Sequence, residues 1–316
     1  MGIESQAIRL LLLAREMGAD FSRSLTIGRQ DLLITASDLR SIMADFGIRL
    51  PVEEAQTLAK GRNRFAEPLL ERLGAETVDS LDASSFEGAT IIHDLNEPPE
   101  PSMAERFSLV IDAGTLEHVF NVPTALATMM SVVRKGGHLL LAHPANNEMG
   151  HGLYQFSPDF YFRTLAPENG YRVKALFLAE IGGGPQWLAV RDPAAVRARV
   201  GFNVPRGPQY IFVIAERIEV VQLFSKPPQQ SDYAAEWKEN PSKGVSEERL
   251  AFFDRAIEQR SVSERSIRHK IVAHAPQTIL RPLRWLRAGR QMDLKPDPSQ
   301  MQPFLAKGGF RPPSPV

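Results

Sequence analysis

The stretch FSLVIDAGTLEHVFNVPTALATMMSVVRKGGHLLL, residues 107–141, decides the fold. Residues 108–111 make an apolar run of strand length without polar alternation, as expected for a strand covered on both faces. A helical pattern follows over 123–133 with Ala125, Leu126, Met129, Met130 and Val133, and Arg134-Lys135-Gly136-Gly137 supplies basic residues and then glycine as a helix stop. A second apolar run covers 138–143. Strand, crossover helix and strand predict an α/β fold, a mostly parallel sheet with helices on both faces.

Working outward, the same rhythm continues on both sides. Towards the N-terminus, helices are predicted over 3–17, stopped by Gly18, over 37–46 between an N-cap at Ser37 and a stop at Gly47, and over 52–73, broken at Gly61 and Pro68. Strands are predicted at 24–27, 76–81 and 89–93. Towards the C-terminus a helix over 158–165 precedes strands at 171–179 and 209–215, which could finish the sheet. Gly182-Gly183-Gly184 lacks a following Lys-Ser/Thr, so it reads as a hairpin or lid, not a phosphate-binding loop.

Composition narrows the function classes. The chain has 316 residues, 43% hydrophobic and 23% charged, which is ordinary for a globular protein. It has no cysteine, hence no disulfide, thiolate zinc site or cysteine nucleophile. The apolar run 10–14 is bracketed by Arg9, Arg15 and Glu16 and falls short of the roughly 20 residues of a membrane span. No small-residue cleavage site follows it, so a cytoplasmic protein is expected. The formal net charge is zero, with 37 Lys+Arg against 37 Asp+Glu, which argues against a nucleic-acid-coating surface. That zero is a cancellation: residues 226–316 hold 16 basic and 10 acidic residues, and the first 225 hold 21 and 27. Two regions are therefore expected, an α/β domain over 1–224 and a basic, partly helical extension over 225–316 with a Pro-rich end. Residues 265–290, with seven basic residues and no acidic one, could form a solvated helix face or touch an anionic surface weakly.

Ligands of open α/β sheets sit beyond the carboxyl ends of the strands, where strand order reverses. The residues that follow the predicted strands are Gly28-Arg29-Gln30, Asp82, then His93-Asp94-Leu95-Asn96, then Asp112-Ala113-Gly114-Thr115 with Glu117-His118. Acids at adjacent strand ends, with glycines between them, suit a ligand carrying a ribose and an adenine.

Residues 107–141 resemble the class I S-adenosylmethionine-dependent methyltransferases, through the strand, the Leu116-Glu117-His118-Val119 segment, the helix and the Gly-Gly turn into the next strand. SLDAS (80–84) and IIHDLNEP (91–98) are similar to that family's second and third strand ends, and GHGLYQFSPDFYFRTL (150–165) to the substrate-side segment of some bacterial members. The likeness covers about residues 20 to 220. It implies a Rossmann-like methyltransferase fold and S-adenosyl-L-methionine as cofactor. Gly28, with Arg29 and Gln30, would lie beside its methionine part, Asp82 on the ribose hydroxyls, Asp94 with Leu95 at the adenine, and Asp112, Ala113 and Gly114 at the cofactor-facing end of the next strand. The family pattern of an acid and Gly-x-Gly-x-Gly after the first strand is replaced here by Leu25-Thr26-Ile27-Gly28-Arg29-Gln30-Asp31.

His118, at the helix entrance, is the candidate catalytic base, with helix capping and packing as its structural alternative. His143, Asn146, Asn147, His151 and Tyr154 are candidates for the acceptor wall. Asp79, inside its strand, is an alternate for the ribose role. No metal site is read from the sequence. The expected activity is methyl transfer to an oxygen or nitrogen of a small-molecule or glycan acceptor. The alternatives are a methyltransferase-like binding protein without chemistry and an NAD or nucleotide-sugar enzyme, although the Gly-x-Gly-x-x-Gly turn of the latter is missing. Oligomeric state is left open.

Overall fold

Phe107–Ala113 is buried along its whole length, and from Leu109 onward its apolar side chains divide by parity: Leu109, Ile111 and Ala113 enter one core, Val110 the other. The same alternation continues on the neighbouring strands. It is the mark of a sheet covered on both faces, and it sets a three-layer architecture.

The computed structural model describes residues 2–60, 65–196, 200, 207–234 and 301–305. In chain order the elements are β1 (Gly2–Ile3), α1 (Ser5–Glu16), β2 (Arg23–Ile27), β3 (Asp31–Leu32), α2 (Ala36–Asp45), α3 (Val52–Lys60), α4 (Glu67–Arg72), β4 (Thr77–Asp82), β5 (Ile91–Ile92), β6 (Phe107–Ala113), α5 (Val122–Val132), β7 (Val133–Asn146), α6 (Pro158–Thr164), β8 (Tyr171–Glu180), β9 (Gln186–Val190), α7 (Pro193–Val196), β10 (Gln209–Arg217) and β11 (Met301–Leu305). The main sheet has the order β11-β9-β8-β10-β7-β6-β2-β4-β5. The pairs among β5, β4, β2, β6 and β7 are parallel, whereas β10 is antiparallel to both β7 and β8. The expected α/β fold class, with a parallel sheet and helices on both faces, is the fold of the described residues, and strands β10, β8, β9 and β11 extend the parallel part by antiparallel pairs.

One core gathers α1, α2, α3 and α4 against Leu109, Ile111, Leu140, Phe212 and Ile214. The other gathers α5 and α6 against Leu25, Val110, Leu139, Leu141 and Val213. Successive strands run β2, β4, β5 in one direction along the sheet, and the chain then returns to add β6 and β7 on the other side of β2. Strand order therefore reverses between β2 and β6, and that crevice is where an open α/β sheet takes a ligand.

Several local expectations change. Helix α2 is capped by Thr35, whose hydroxyl accepts from Asp38 N at 3.1 Å, and not by Ser37. Pro68 opens α4 instead of breaking a helix, because a proline in the first turn gives up an N–H that has no intrahelical partner. Arg134-Lys135-Gly136-Gly137 belongs to β7, not to a helix stop. The β6–β7 register slips there, from Phe107 opposite Val133 to Leu109 opposite His138. Gly136 has φ +78°, and a Cβ on Gly137 would stand 2.8 Å from Ser108 O, so the glycines serve an irregularity in the sheet. The stop at Gly61 and residues 265–290 lie outside the described residues.

Candidate functional site

Gly28 leaves β2 at φ +68°, and its N–H reaches across to Leu81 O on β4. Gln30 turns inward, 1% exposed, and donates to Ile27 O at 2.5 Å. Thr115, beyond β6, donates to the same carbonyl at 2.8 Å and bridges the crevice. Arg29 turns outward. Its guanidinium meets Glu67 at 2.7 Å, lies over the Phe65 ring, and donates to Glu87 O at 2.7 Å. The side chain that stands where the family pattern has glycine therefore ties the β2 turn to the loop after β4.

The strand-end acids behave as open acceptors. Asp82 ends β4, and its Oδ1 accepts from Ser84 N at 3.1 Å. Asp94 is exposed, with Oδ1 accepting from both Asn96 N and Asn96 Nδ2 at 2.9 Å, which holds its carboxyl below the usual range. Among the described residues, each acid keeps Oδ2 without a protein partner. Leu95 is buried in the core beneath them. Asn96 in turn accepts from Asn121 N at 2.9 Å, which joins the loop after β5 to the start of α5. Asp79 lies back in its strand and accepts from Thr90 Oγ1 at 2.8 Å, away from the strand ends.

Asp112 is different from what its position suggests. Its side chain is fully buried and accepts from Thr115 N at 2.8 Å and Leu116 N at 3.1 Å. It also pairs with the equally buried His143, at 3.0 Å but off the line of a hydrogen bond, and His143 Nδ1 meets Tyr161 OH on α6. Burial alone would lower the His143 pKa, but the Asp112 carboxylate and, more weakly, Glu117 raise it above the ordinary value. Neither Asp112 nor His143 presents its side chain to solvent, so their expected ligand contacts give way to a buried tie between β6, β7 and α6. Ala113 is buried, and Gly114, at φ +102°, turns the chain into the 3-10 segment Leu116–His118.

That segment brings a second group together. Glu117 is fully buried, and its carbonyl accepts from Leu153 N at 2.7 Å and Tyr154 N at 3.2 Å, which clamps the loop after β7. His118 is exposed and His151 partly so, with their rings edge to face at 4.9 Å. Burial lifts the Glu117 carboxyl above its ordinary value, opposed by His143 and reinforced by Asp112. Tyr210 on β10 is pushed up by its own burial and by the nearby Glu117, Glu148 and Glu4 carboxylates. Tyr154 donates to Phe120 O at 3.0 Å and stacks on Phe156. Asn146 and Asn147 are exposed at the end of β7, where Asn147 adopts φ +62°.

Of the expected residues, Gly28, Asp82 and Asp94 lie on the β2–β4–β5 side of the crevice, and His118, His151 and Tyr154 on the β6–β7 side. The sequence placed Glu117 only among the residues after the strand, with no ligand role of its own, whereas it is the buried centre of the second group. Its signal was an acid between Leu116 and His118 in an apolar segment.

No protein-family model and no curated protein matches the chain. Several solved structures that resemble it are described as methyltransferases. One, from Bacillus halodurans and described as a methyltransferase, is 11% identical, covering 66% of this chain and 98% of its own, with a TM-score of 0.36. Another, from Listeria monocytogenes and described as S-adenosylmethionine dependent, is 11% identical over 68% of this chain and 99% of its own, also at 0.36. The Burkholderia thailandensis 1,6-didemethyltoxoflavin-N1-methyltransferase, solved with that substrate and S-adenosylhomocysteine, is 13% identical over 68% of this chain and 79% of its own, with a TM-score of 0.36.

Proposed function

We propose that the chain is an S-adenosylmethionine-dependent methyltransferase acting on an oxygen or nitrogen of a small-molecule or glycan acceptor. The observation that carries this reading is the strand order, which reverses between β2 and β6 and sets Asp82 and Asp94 at the carboxyl ends of adjacent strands beside Gly28. The residues fit the cofactor on its nucleoside side. Asp82 Oδ2 is open to the ribose hydroxyls, Asp94 Oδ2 is open to the adenine amine, and the Gly28 turn has no side chain to stand in the way. On the methionine side Arg29 replaces the glycines, and its ties to Glu67 and Glu87 O form the edge of the cleft.

Bound S-adenosylmethionine supplies an electrophilic methyl group on a sulfonium. The chain contributes position and a proton acceptor. Acceptor atoms enter from the β6–β7 side, between the Tyr154 ring and the exposed His118. There the His118 imidazole would take the proton that the acceptor oxygen or nitrogen gives up. Asp112 and His143 act beneath this, holding the β6 turn that carries Glu117 and His118.

Calorimetry with S-adenosylhomocysteine tests the reading. Binding to the wild-type chain is expected, and Asp82→Ala should weaken it roughly ten- to hundredfold, the loss of hydrogen bonds to a charged group. No binding to the wild-type chain would remove the cofactor assignment.

A further inference from the structure

We infer that Glu117, His118 and His151 form a binding site for a divalent transition-metal ion. One ligand atom from each of the three lies within 4.8 Å of the others. The Glu117 side chain is 0% exposed, and neither of its carboxylate oxygens has a hydrogen-bond partner among the described residues. The nearest ionic contact is His151 Nε2, at 3.4 Å from Oε1. A carboxylate buried without hydrogen bonds is costly unless a cation compensates it.

The surroundings are built to keep the three residues together. Leu153 N and Tyr154 N donate to Glu117 O, which fixes the loop that carries His151 against the turn that carries Glu117 and His118. Gly152 permits this approach, since a Cβ there would stand 2.9 Å from both Glu117 Cγ and Glu117 O. On the opposite side Gly114, at φ +102°, leaves only 3.4 Å between a Cβ and Glu117 Oε1. Two glycines thus admit a carboxylate that no donor among the described residues satisfies.

The donor set selects the ion. Two imidazoles and one carboxylate suit zinc and its first-row neighbours, whereas magnesium and calcium prefer oxygen ligands alone. A tetrahedral ion at about 2.1 Å from each donor needs them about 3.4 Å apart, the separation that His151 Nε2 and Glu117 Oε1 already have, with the third donor within 4.8 Å. Three protein ligands leave a fourth position on the exposed side of His118, as in sites where a metal holds water or a substrate atom. The site itself is independent of methyl transfer. Only its consequence rests on that reading: with the ion bound, His118 is a ligand and its imidazole is no longer free to act as the base.

The test is zinc titration of the full chain after chelator treatment, by calorimetry, with cobalt absorption reporting coordination number. One zinc per chain is expected, with affinity falling tenfold or more in each of His118→Ala, His151→Ala and Glu117→Gln. His93→Ala, a histidine remote from the group in sequence, should leave it unchanged. Should Glu117→Gln not fold, the two histidine variants decide. Absence of stoichiometric zinc, or an affinity indifferent to His118→Ala and His151→Ala, overturns the site. Because S-adenosylhomocysteine is absent from this titration, its outcome is separate from that of the cofactor measurement.

Discussion

Gly152 sets the local cost of the second group at the scale of one residue. At φ +70° it occupies the left-handed region, and the space a side chain would need is already taken by Glu117. Gly152→Ala should therefore cost about 1–3 kcal/mol through backbone strain and displacement of the loop. Urea denaturation reads the cost, and an unchanged midpoint would contradict the close packing. The same substitution should weaken zinc binding, since the loop it displaces carries His151. A buried carboxylate is thus tied to its surroundings by backbone bonds that a change of its own side chain would leave in place.

At the scale of elements, Gln6 on α1 links the first helix to the turn between β8 and β9. Its amide donates to Gly183 O at 2.8 Å and Gly184 O at 3.0 Å, and its Oε1 accepts from Trp187 Nε1 at 2.9 Å. The triple-glycine segment read as a hairpin or lid is a hairpin held by a buried side chain. Gln6→Ala removes these bonds together, and a loss of roughly 1–3 kcal/mol is expected. Faster hydrogen exchange in the β8–β9 turn should accompany it, and unaltered exchange would place the turn's order elsewhere. No sequence pattern joins Gln6 to glycines so far along the chain. What was legible is what burial writes locally: β6 and the later part of β7 stand out as unbroken apolar runs because both faces are covered. Edge strands leave no such run. β5 shrinks to Ile91–Ile92, and β9 and β11 pair at the far edge without having been anticipated. The candidate site divides in the same way. Asp82 and Asp94 are found by position alone, because a strand end fixes where a residue sits. The Asp112–His143 pair is a side-chain contact between neighbouring strands, and it makes a buried tie of two residues expected to face ligands.

At the scale of the whole molecule, two buried histidines give stability opposite dependences on pH. His138 is 3% exposed, and Lys174 Nζ donates to its Nε2 at 3.3 Å. Burial and the Lys174 charge lower its pKa from 6.5 to about 4. Above pH 6.5 folded and unfolded forms are both neutral there, and the shift has no effect. As pH falls from 6.5 to about 4 the unfolded chain takes up a proton that the folded chain refuses, so stability declines, by about 3 kcal/mol in full. His143 has the other sign. Its raised pKa gives a contribution that is complete below pH 6.5 and is lost as pH rises through the folded value. The two contributions are therefore jointly most favourable around pH 6.5. His138→Gln isolates the acid limb, since glutamine can still accept from Lys174 but does not titrate. Relative to wild type, the variant should gain about 3 kcal/mol of stability between pH 7 and pH 4, measured by urea denaturation across that range. A difference between the two proteins that stays constant with pH would show that His138 is not held neutral by the fold.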